Sequence, residues 1–339
     1  MKVNTINGGY AEIIQYSKNK DGKELITYSL KYGLIVHAEM LRHRLLTNNV
    51  KSNRAVSMKQ IRSEVLKDPY VPIKFGKQQK GMIASSEVDF KNAGVCRWLW
   101  KTARYPAVLV HWIFEKLGLH KEVTNRVLNP WQWVRETLTA TEFDNFYHLR
   151  LHKDAQKDIQ VIAQAMLEAK KNYSPSEIET LTQGEYHVPY VFRYRNDTGV
   201  LGYYDNDGTR LSTQEAIEAS CARCARSSYD NHDGTKALYH KTHNSKGRSD
   251  KEIYQSLVNS NPVHGSCAEH QATPMEIPYN EHWFVDGSNG WVDGVTHVDK
   301  HGSYWSGNFR GFVQYRQTLD NHVCWEYNTS NIPVDNNQE

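Results

Sequence analysis

The stretch 141–171 limits the possible folds most, because its apolar residues recur at helical spacing along its length. A helix with one apolar side is stable when that side packs against another layer of structure. Two stripes make up the pattern: Phe143, Phe146 and Tyr147, and then Ile159, Ile162, Ala163, Met166 and Leu167. The sequence therefore predicts long helices that cover a second layer.

Arg150 lies on the same helical face as the aromatic residues at the start of this stretch. An arginine directed at an apolar surface is unfavourable unless an anion or a dipole meets it. One possible partner is Asp154, four residues further along the helix. The alternative is a negatively charged ligand, which would make Arg150 a functional residue.

Signals for strands and helices alternate along the rest of the chain. Residues 24–39 begin with apolar alternation and then become continuously apolar, which predicts a strand followed by a helix near His37. The Asp-Gly turns within 193–210 predict a hairpin. Further helices are expected at 98–117 with Gly118 at the C-cap, from His120, and at 212–220 with Ser212 or Thr213 as N-cap. Irregular structure is expected at 55–95, a polar loop at 230–250, strands and turns beyond 281, and disorder at 334–339.

Composition excludes several classes of protein. The 339 residues are 39% hydrophobic and 23% charged with a net charge of +3, which is typical of a globular protein and too weakly basic to indicate nucleic-acid binding. The chain has five cysteines, an odd number that argues against a disulfide framework. No apolar run reaches the roughly 20 residues of a membrane span, and residues 1–10 lack a signal-peptide layout. A cytoplasmic protein without a membrane partner is expected.

A basic segment follows the predicted helix at His37. Arg42, His43 and Arg44 are followed after a short interval by Ser52 and Arg54. Guanidinium groups bind phosphate in bidentate fashion, and a serine hydroxyl adds a donor. A solvated basic helix end is the alternative, but the apolar residues immediately before the segment draw it toward the core.

This segment resembles the signature of the flavin-dependent thymidylate synthases, which is Arg-His-Arg, seven residues and then Ser. In that family it contacts both the flavin and the phosphate of deoxyuridylate. Asn49 and Arg54 also stand in family positions. Three positions depart from the pattern: Glu39, Val50 and Ala55 stand where the family usually has Gln, Glu and an aromatic residue.

The stretch around Arg150 resembles a second element of the family, a helix with the pattern Asn…Leu-Arg…Ala-Gln, in its bacteriophage branch. The resemblance implies that Arg150 meets the uracil ring and that Asn145 contacts the flavin. Thr139 and Thr141 replace an earlier Asn-x-Arg flavin contact. A weaker similarity makes Arg126 a candidate for holding the nucleotide phosphate.

Two further elements of the family occur late in the chain. His264 and Ser266 stand in a His-x-Ser-x-x-Glu-His element that touches the flavin in the family, and 226–229 resembles an Arg-x-Ser-Tyr element. In the family both precede the Arg-His-Arg segment, whereas here they follow it. Asn308 and Arg310 then echo the first half and are candidates to replace the flavin contacts missing at Thr139 and Thr141.

This order implies an α+β fold, an antiparallel sheet with long helices, in which two degenerate tandem copies of the flavin-dependent thymidylate synthase fold follow one another. Residues 1–210 would carry nucleotide and flavin motifs, and residues 211–339 would complete the flavin site. A structural zinc site is the rival interpretation of the C-terminal half, since Cys221, Cys224, Cys267 and His270 have ligand spacing. There is no G-x-G-x-x-G motif after a strand to indicate a Rossmann domain.

The resemblance implies the reductive methylation of dUMP to dTMP. Methylenetetrahydrofolate would supply the carbon, FAD a hydride, and NADPH would reduce the flavin, with the small-molecule substrates dUMP and folate bound by a homo-oligomer. Arg150 would be catalytic. The other implied contacts are with substrate, at Glu39, Arg42, Ser52, Arg54 and Arg126, and with FAD, at His43, Arg44, Asn145, His264, Ser266, Asn308 and Arg310. Two alternatives stay open: a related enzyme that makes a modified nucleotide such as a 5-hydroxymethyl product, and a non-catalytic nucleotide-binding protein.

Overall fold

A six-stranded sheet built by the first half of the chain forms the centre of the fold. The computed structural model describes residues 1–81, 84, 86–229, 238–240, 248–276, 293–320 and 322–327. Five strands run antiparallel in the order β1-β2-β3-β5-β4, and β6 pairs with β2 in parallel. The strands are β1 (Lys2–Asn4), β2 (Tyr10–Lys18), β3 (Glu24–Gly33), β4 (Thr47–Val50), β5 (Trp133–Ala140) and β6 (Glu179–Thr180). The short strand β4 therefore lies at an edge of the sheet.

The described helices of the first half are α1 (His37–Met40), α2 (Met58–Lys67), α3 (Phe90–Lys116), α4 (Lys121–Thr124), α5 (Asp144–Arg150) and α6 (Lys157–Lys171). The last two, α5 and α6, cover one face of this sheet. Even-numbered residues of β3 and β5, such as Tyr28 and Leu138, pack with α5 and α6 in one apolar core. A smaller core joins α2 and α3 to the 3-10 turn Asn125–Trp131.

The second half of the fold, which begins at Leu181, covers the opposite face. Its described residues form two helices, α7 (Thr213–Ala225) and α8 (Asp250–Val258), and three small antiparallel sheets. Their strands are β7 (Phe192–Arg195), β8 (Leu201–Tyr204) and β9 (Arg210–Leu211), then β10 (Ala272–Pro274) with β14 (Phe312–Gln314), and β11 (His297–Val298), β12 (Tyr304–Ser306) and β13 (Phe309–Arg310). A second apolar core unites these elements and also takes in Leu25 from β3.

Several predicted elements are confirmed. The strand from Glu24 leads into a helix at His37, the hairpin lies at β7–β8–β9, and α7 begins after Ser212. Ser212 accepts a hydrogen bond from the backbone of Glu215, and the Glu215 side chain returns one, which makes a capping box. The end of α3 is followed by Gly118 with φ +81°, as expected of a C-cap glycine.

One prediction about regular structure was wrong, and one predicted helical stretch is divided in two. The segment 55–95 contains α2, whose N-cap Ser57 accepts from Gln60, and α3 already begins at Phe90. The stretch 141–171 forms two helices, because the polar turn after Leu151 closes on His152, whose carbonyl accepts from Ala155. Of the expected loop 230–250 and the C-terminal stretches, residues 230–237, 241–247, 277–292 and 328–339 lie outside the described residues.

The α+β class with antiparallel sheets is confirmed, whereas the tandem-copy idea stays a prediction. The first half has one large sheet, and the described part of the second half has three sheets of two or three strands. The expected boundary after residue 210 falls inside β9, and Leu181 and Val188 already belong to the second core. None of the helices within the described ranges is long and apolar enough to cross a membrane.

Candidate functional site

The Arg-His-Arg segment forms the turn that connects α1 to the edge strand β4. Buried Met40 and Leu46 anchor its two ends, and His43 donates its backbone N–H to the Met40 carbonyl over 3.1 Å. Arg42 and Arg44 point outward from this turn and are exposed. Neither guanidinium has a hydrogen bond or ion pair with any described residue. The two guanidinium groups therefore lie beside the edge of the sheet, where they can bind an anion.

Arg150 joins this turn from the end of α5. Its Nη1 donates to Glu39 Oε2 over 2.8 Å, its Nη2 to the Glu39 carbonyl over 3.1 Å, and its Nε to His43 Nε2 over 2.8 Å. The charge partner of Arg150 is thus Glu39, while Asp154 lies beside His152. Burial, and then the neighbouring guanidinium, lowers the pKa of His43, so that its Nε2 can accept. Two of the five N–H groups of Arg150 stay uncommitted to these contacts.

Ser52 and Arg54 follow β4 directly. The Ser52 hydroxyl accepts from the Arg54 backbone over 3.2 Å, and the Ser52 backbone donates to the Ser228 carbonyl over 3.0 Å. The 3-10 turn Arg226–Tyr229 of the second half therefore touches the end of the signature segment. The side chain of Arg226, however, is paired with Asp250 at 2.6 Å and contributes to structure.

Arg126 and Asn145 are both exposed and lie at the periphery. Arg126 Nε donates to the Glu122 carbonyl over 3.1 Å. Its neighbour Asn125 donates to the Asn53 carbonyl over 2.8 Å, which brings the turn of Arg126 next to the residues after β4. Asn145 stands on α5, one turn before Arg150 on a different side of the helix.

The second half reaches the signature strand through Asn308. Asn308 Nδ2 donates to Thr47 Oγ1 over 2.9 Å, so the two segments meet at the first residue of β4. The backbone of Arg310 donates to Thr141 Oγ1 over 3.0 Å. Thr141 is one of the two positions whose missing flavin contacts Arg310 is predicted to replace. The guanidinium of Arg310, in contrast, is paired with Glu142 at 2.8 Å.

His264 and Ser266 are exposed at the start of the 3-10 turn Gly265–Glu269, which also contacts β4. Further along this turn Glu269 forms an ion pair with Arg316. Burial raises the pKa of the Glu269 carboxyl, and the arginine opposes this shift. Glu269 is therefore engaged with Arg316, while the side chains of His264 and Ser266 are accessible to a ligand.

A buried chain of hydroxyls and imidazoles joins the two halves across the sheet. His187 Nδ1 lies 2.8 Å from Ser17 Oγ, and its Nε2 lies 2.8 Å from Thr27 Oγ1. Thr27 Oγ1 lies 2.7 Å from Thr139 Oγ1, which lies 2.8 Å from His270 Nδ1. Burial lowers the pKa of His187 well below its usual value and that of His270 to about 3, so both rings are neutral at physiological pH.

Buried polar atoms without a partner concentrate around β4. The described part of the chain has five such atoms, and four of them are on β4 or on residues linked to it: Asn48 Oδ1, Asn49 Nδ2, Glu136 Oε1 and His270 Nε2. Glu136 faces Val50 across the strand pair, and His270 is bonded to Thr139, which faces Thr47. Buried polar atoms in native proteins are almost always hydrogen-bonded, so this cluster indicates groups that a ligand satisfies.

The sequence motifs did not point to Glu136, His187 or Thr27. Glu136 is the one acid of the strand 133–140, and an unpaired buried carboxyl is costly and rarely only structural. No comparable signal marks His187, because its partners come from strands far away in sequence.

The cysteines of the rival zinc interpretation are buried. Burial is the main cause that raises the pKa of the Cys221 and Cys224 thiols, which keeps them protonated. Among the residues that the structure describes, no group of three or more His, Cys, Asp or Glu side chains could hold a metal ion. Cys267 packs in the same core as Cys221.

Comparison with known proteins gives one family match. Residues 24–176 match the model of the family described as thymidylate synthase complementing protein. Two solved structures are similar, the UMP/dUMP methylase PolB from Streptomyces cacaoi bound with 5-Br UMP and the same enzyme bound with 5-Br dUMP. Each has a TM-score of 0.41 and 14% identity over 50% of this chain, and covers 91% and 92% of the respective methylase chain. No curated protein matches the chain.

Proposed function

We propose, because residues 24–176 belong to the family of flavin-dependent thymidylate synthases, that this chain methylates dUMP to dTMP. The carbon donor would be methylenetetrahydrofolate, and NADPH would be the reductant. The observation that supports a ligand site best is the cluster of unpartnered buried atoms around β4. This cluster lies within the matched residues except for His270.

The polar atoms around β4 offer both types of group that a flavin ring needs, a donor for its carbonyl oxygens and an acceptor for its imide N–H. Asn49 Nδ2 is the donor and Asn48 Oδ1 is the acceptor; both atoms are buried without a partner among the described residues, and they lie on opposite faces of this edge strand. We propose that these residues, with His43, Arg44, Asn145, His264 and Ser266, hold FAD. When bound, FAD would supply the hydride for the reaction. Asn308 supports this site by fixing the first residue of β4.

The nucleotide would bind at the exposed basic turn. Arg42, Arg54 and Arg126 are exposed cations, and Arg54 follows closely after Ser52, whose hydroxyl adds a further donor of the kind that binds phosphate. Neither Arg42 nor Arg54 is bonded to another side chain in the described ranges. Their role is to bind and orient, because no described base approaches the Ser52 hydroxyl to activate it.

Arg150 would act on the uracil ring. Glu39 and His43 fix the plane of its guanidinium, so the two remaining N–H groups point in set directions. Replacement of the hydrogen on C5 by a methyl group requires negative charge to develop on the ring. A fixed, partly buried cation that donates to a ring carbonyl stabilises that charge.

A homo-oligomer is also proposed, on the basis of α3. The outer face of this helix exposes large apolar side chains, including Trp98 at 64%, Leu109 at 55% and Trp112 at 44% exposure. A patch of this kind is unusual on a monomer. Sedimentation analysis of the wild type and of the Trp98→Glu and Leu109→Glu variants tests this. If a second copy of the chain binds this face, each variant should sediment as a smaller species than the wild type.

One assay tests the function. The purified protein is incubated with dUMP, methylenetetrahydrofolate and NADPH, and the product is identified by mass. A mass gain of one methyl group with flavin absorbance in the protein is expected. A hydroxymethyl product would instead favour the modifying-enzyme alternative, and bound nucleotide without turnover would favour a binding protein.

Arg150→Ala makes the test specific. We expect turnover to fall by about 10²- to 10³-fold, or about 3–4 kcal/mol, while flavin absorbance is kept. Arg193→Ala is the matched control, because Arg193 is also partly buried and paired with a glutamate, Glu179, at 2.7 Å on the far side of the sheet. Equal activity in the Arg150 and Arg193 variants would exclude the assigned role.

A further inference from the structure

The carboxyl of Glu136 is the most unusual group beside the signature strand. It is fully buried on β5, and its cross-strand neighbours are Leu30 on β3 and Val50 on β4. Neither neighbour can stabilise a negative charge. Oε1 has no partner among the described residues, and Oε2 meets a single group, the hydroxyl of Tyr32, at 2.5 Å. A carboxyl in this position is costly to keep and needs an explanation beyond packing.

Tyr32 connects this carboxyl to an imidazole nearer the surface. Its hydroxyl oxygen lies 2.7 Å from His37 Nδ1, so Glu136, Tyr32 and His37 form an unbroken hydrogen-bonded chain. A hydroxyl has one proton, and it can be given to only one of the two neighbours. The direction of the hydrogen bonds along the chain is therefore set by which end carries the proton.

We propose that Glu136, Tyr32 and His37 form a proton relay that serves the site around β4, with Glu136 as the buried store. Its service to methylation rests on the proposed function; the relay itself does not. These three residues hold and move a proton along their hydrogen bonds, and none of them needs to touch the substrate.

The two end states of the relay balance. In one, the Glu136 O–H donates to Tyr32, the Tyr32 O–H donates to His37 Nδ1, and His37 carries its proton on Nε2. In the other, the Glu136 carboxylate accepts from Tyr32, His37 Nδ1–H donates to Tyr32, and the Nε2 proton has passed to a base, which is water in the free protein. One proton leaves, and His37 changes from one neutral tautomer to the other.

The proton should leave Glu136 at a pH slightly above neutral. Burial raises the pKa of Glu136 to about 8, against the smaller effect of the Tyr32 hydrogen bond. Burial also lowers the pKa of His37, so its ring stays neutral while its tautomer changes. Among the residues that the structure describes, Tyr32 is the titratable group that contacts the carboxyl, and His37 contacts Tyr32 in turn. The pKa of Tyr32 is far above this range, so it passes the proton on without ionising.

The position of the relay connects it to the site. Glu136 lies opposite Val50, the last residue of β4, so its carboxyl stands beside the strand that carries Asn48 and Asn49. His37 begins α1, the helix that also carries Glu39, the partner of Arg150. Methylation at C5 of a uracil releases the C5 proton, and a nearby relay would accept it.

The test uses the full chain and two spectroscopic signals. Infrared difference spectra report the protonated carboxyl band of Glu136, and ¹⁵N shifts report which nitrogen of His37 carries the proton, assigned by the His37→Gln variant. In the wild type both signals should change together between about pH 7 and 9. In Glu136→Gln the band should vanish, and His37 should no longer change in that window.

Tyr32→Phe separates a relay from a mere hydrogen bond. Here the carboxyl band should persist to higher pH, because the stabilising hydrogen bond is gone, and His37 should become insensitive to it. Tyr28→Phe is the matched control, since Tyr28 is buried on the same strand and face but bonds to Tyr147 and the Met166 carbonyl. It should leave both signals unchanged.

An unchanged His37 response in Tyr32→Phe or Glu136→Gln would overturn the relay, whether or not the enzyme methylates dUMP. Coupled signals in a protein that does not methylate dUMP would keep the relay and remove the proposed function. If methylation occurs, Tyr32→Phe should shift the acid limb of the kcat profile, because Glu136 must be deprotonated to accept the proton, and Tyr28→Phe should not.

Discussion

The two faces of the central sheet are built on different principles. Leu138 and Thr139 are consecutive residues of β5, so their side chains point to opposite layers. Leu138 packs in the apolar core with α5 and α6, where contacts are not directional. Thr139 lies in the polar layer and is matched to Thr27 and His270 atom by atom. The first face could accept many apolar partners, whereas the second requires this particular C-terminal half.

The polar layer also explains how a late part of the chain reaches an early motif. Thr137 Oγ1 lies 2.8 Å from Ser227 Oγ, and Asn308 donates to Thr47. Each bond adds little free energy alone, but each unmatched buried group is costly. The second half can therefore pack on this face in one position, the one in which each buried polar group meets its partner.

The largest effect is expected on the apolar face. Leu138→Ala should lower the free energy of unfolding by about 2–5 kcal/mol, because it removes buried methyl groups and leaves a cavity. Urea denaturation measures this, with Leu149→Ala, on the exposed side of α5, as a control that should change little. A loss of less than about 1 kcal/mol would mean that this face is not closely packed.

A smaller effect is expected one residue further on. Thr139→Val keeps the shape but removes the hydroxyl, which leaves His270 Nδ1 without its partner. The expected loss is about 1–3 kcal/mol, the cost of an unsatisfied buried group. Thr209→Val, in the exposed turn between β8 and β9, serves as the control. If Thr139→Val were neutral, the polar layer would not hold the halves together.

The two faces should also respond differently to acid. The pKa values of His187 and His270 are depressed in the folded state, so their contribution to stability is present above about pH 6.5 and is lost as the pH falls toward the folded values. The slope should approach about 1.4 kcal/mol per pH unit for each histidine.

Unfolding free energies measured from pH 7 downward test this expectation. His270→Gln should flatten the curve, and His301→Gln, at an exposed turn, should not. A wild-type curve that is flat over the same range would show that both rings accept protons without loss of the fold.

The smallest effect is expected beyond the end of β4, outside both layers. Ser52→Ala removes one hydroxyl that is partly exposed and accepts from Arg54. Nucleotide affinity should fall by about 1 kcal/mol, roughly five-fold, with kcat little changed. Titration with dUMP measures the affinity, and a covalent adduct on Ser52 during turnover would contradict a binding role.

The residues of the candidate site could be predicted from sequence where they lie in one short segment. Arg42, His43 and Arg44 form one motif that is local in sequence and lie together in one turn, whereas the contact of this turn with Arg150 spans more than a hundred residues. The partner of Arg150 could not be predicted, because Glu39 is distant in sequence while Asp154 is one helical turn away. Helix geometry favours the nearer acid, and only packing decides between them.

The sequence by itself determined the helices with an apolar stripe, the capped start of α7, and the family motifs at β4 and α5. These follow from periodicity and from short-range hydrogen bonds. The tertiary structure alone decided that Thr139 meets His270, that Glu136 lies opposite Val50, and that α2 forms within an apparently irregular stretch. Each of these depends on strand register or on burial, and both arise only when segments far apart in the chain pack together.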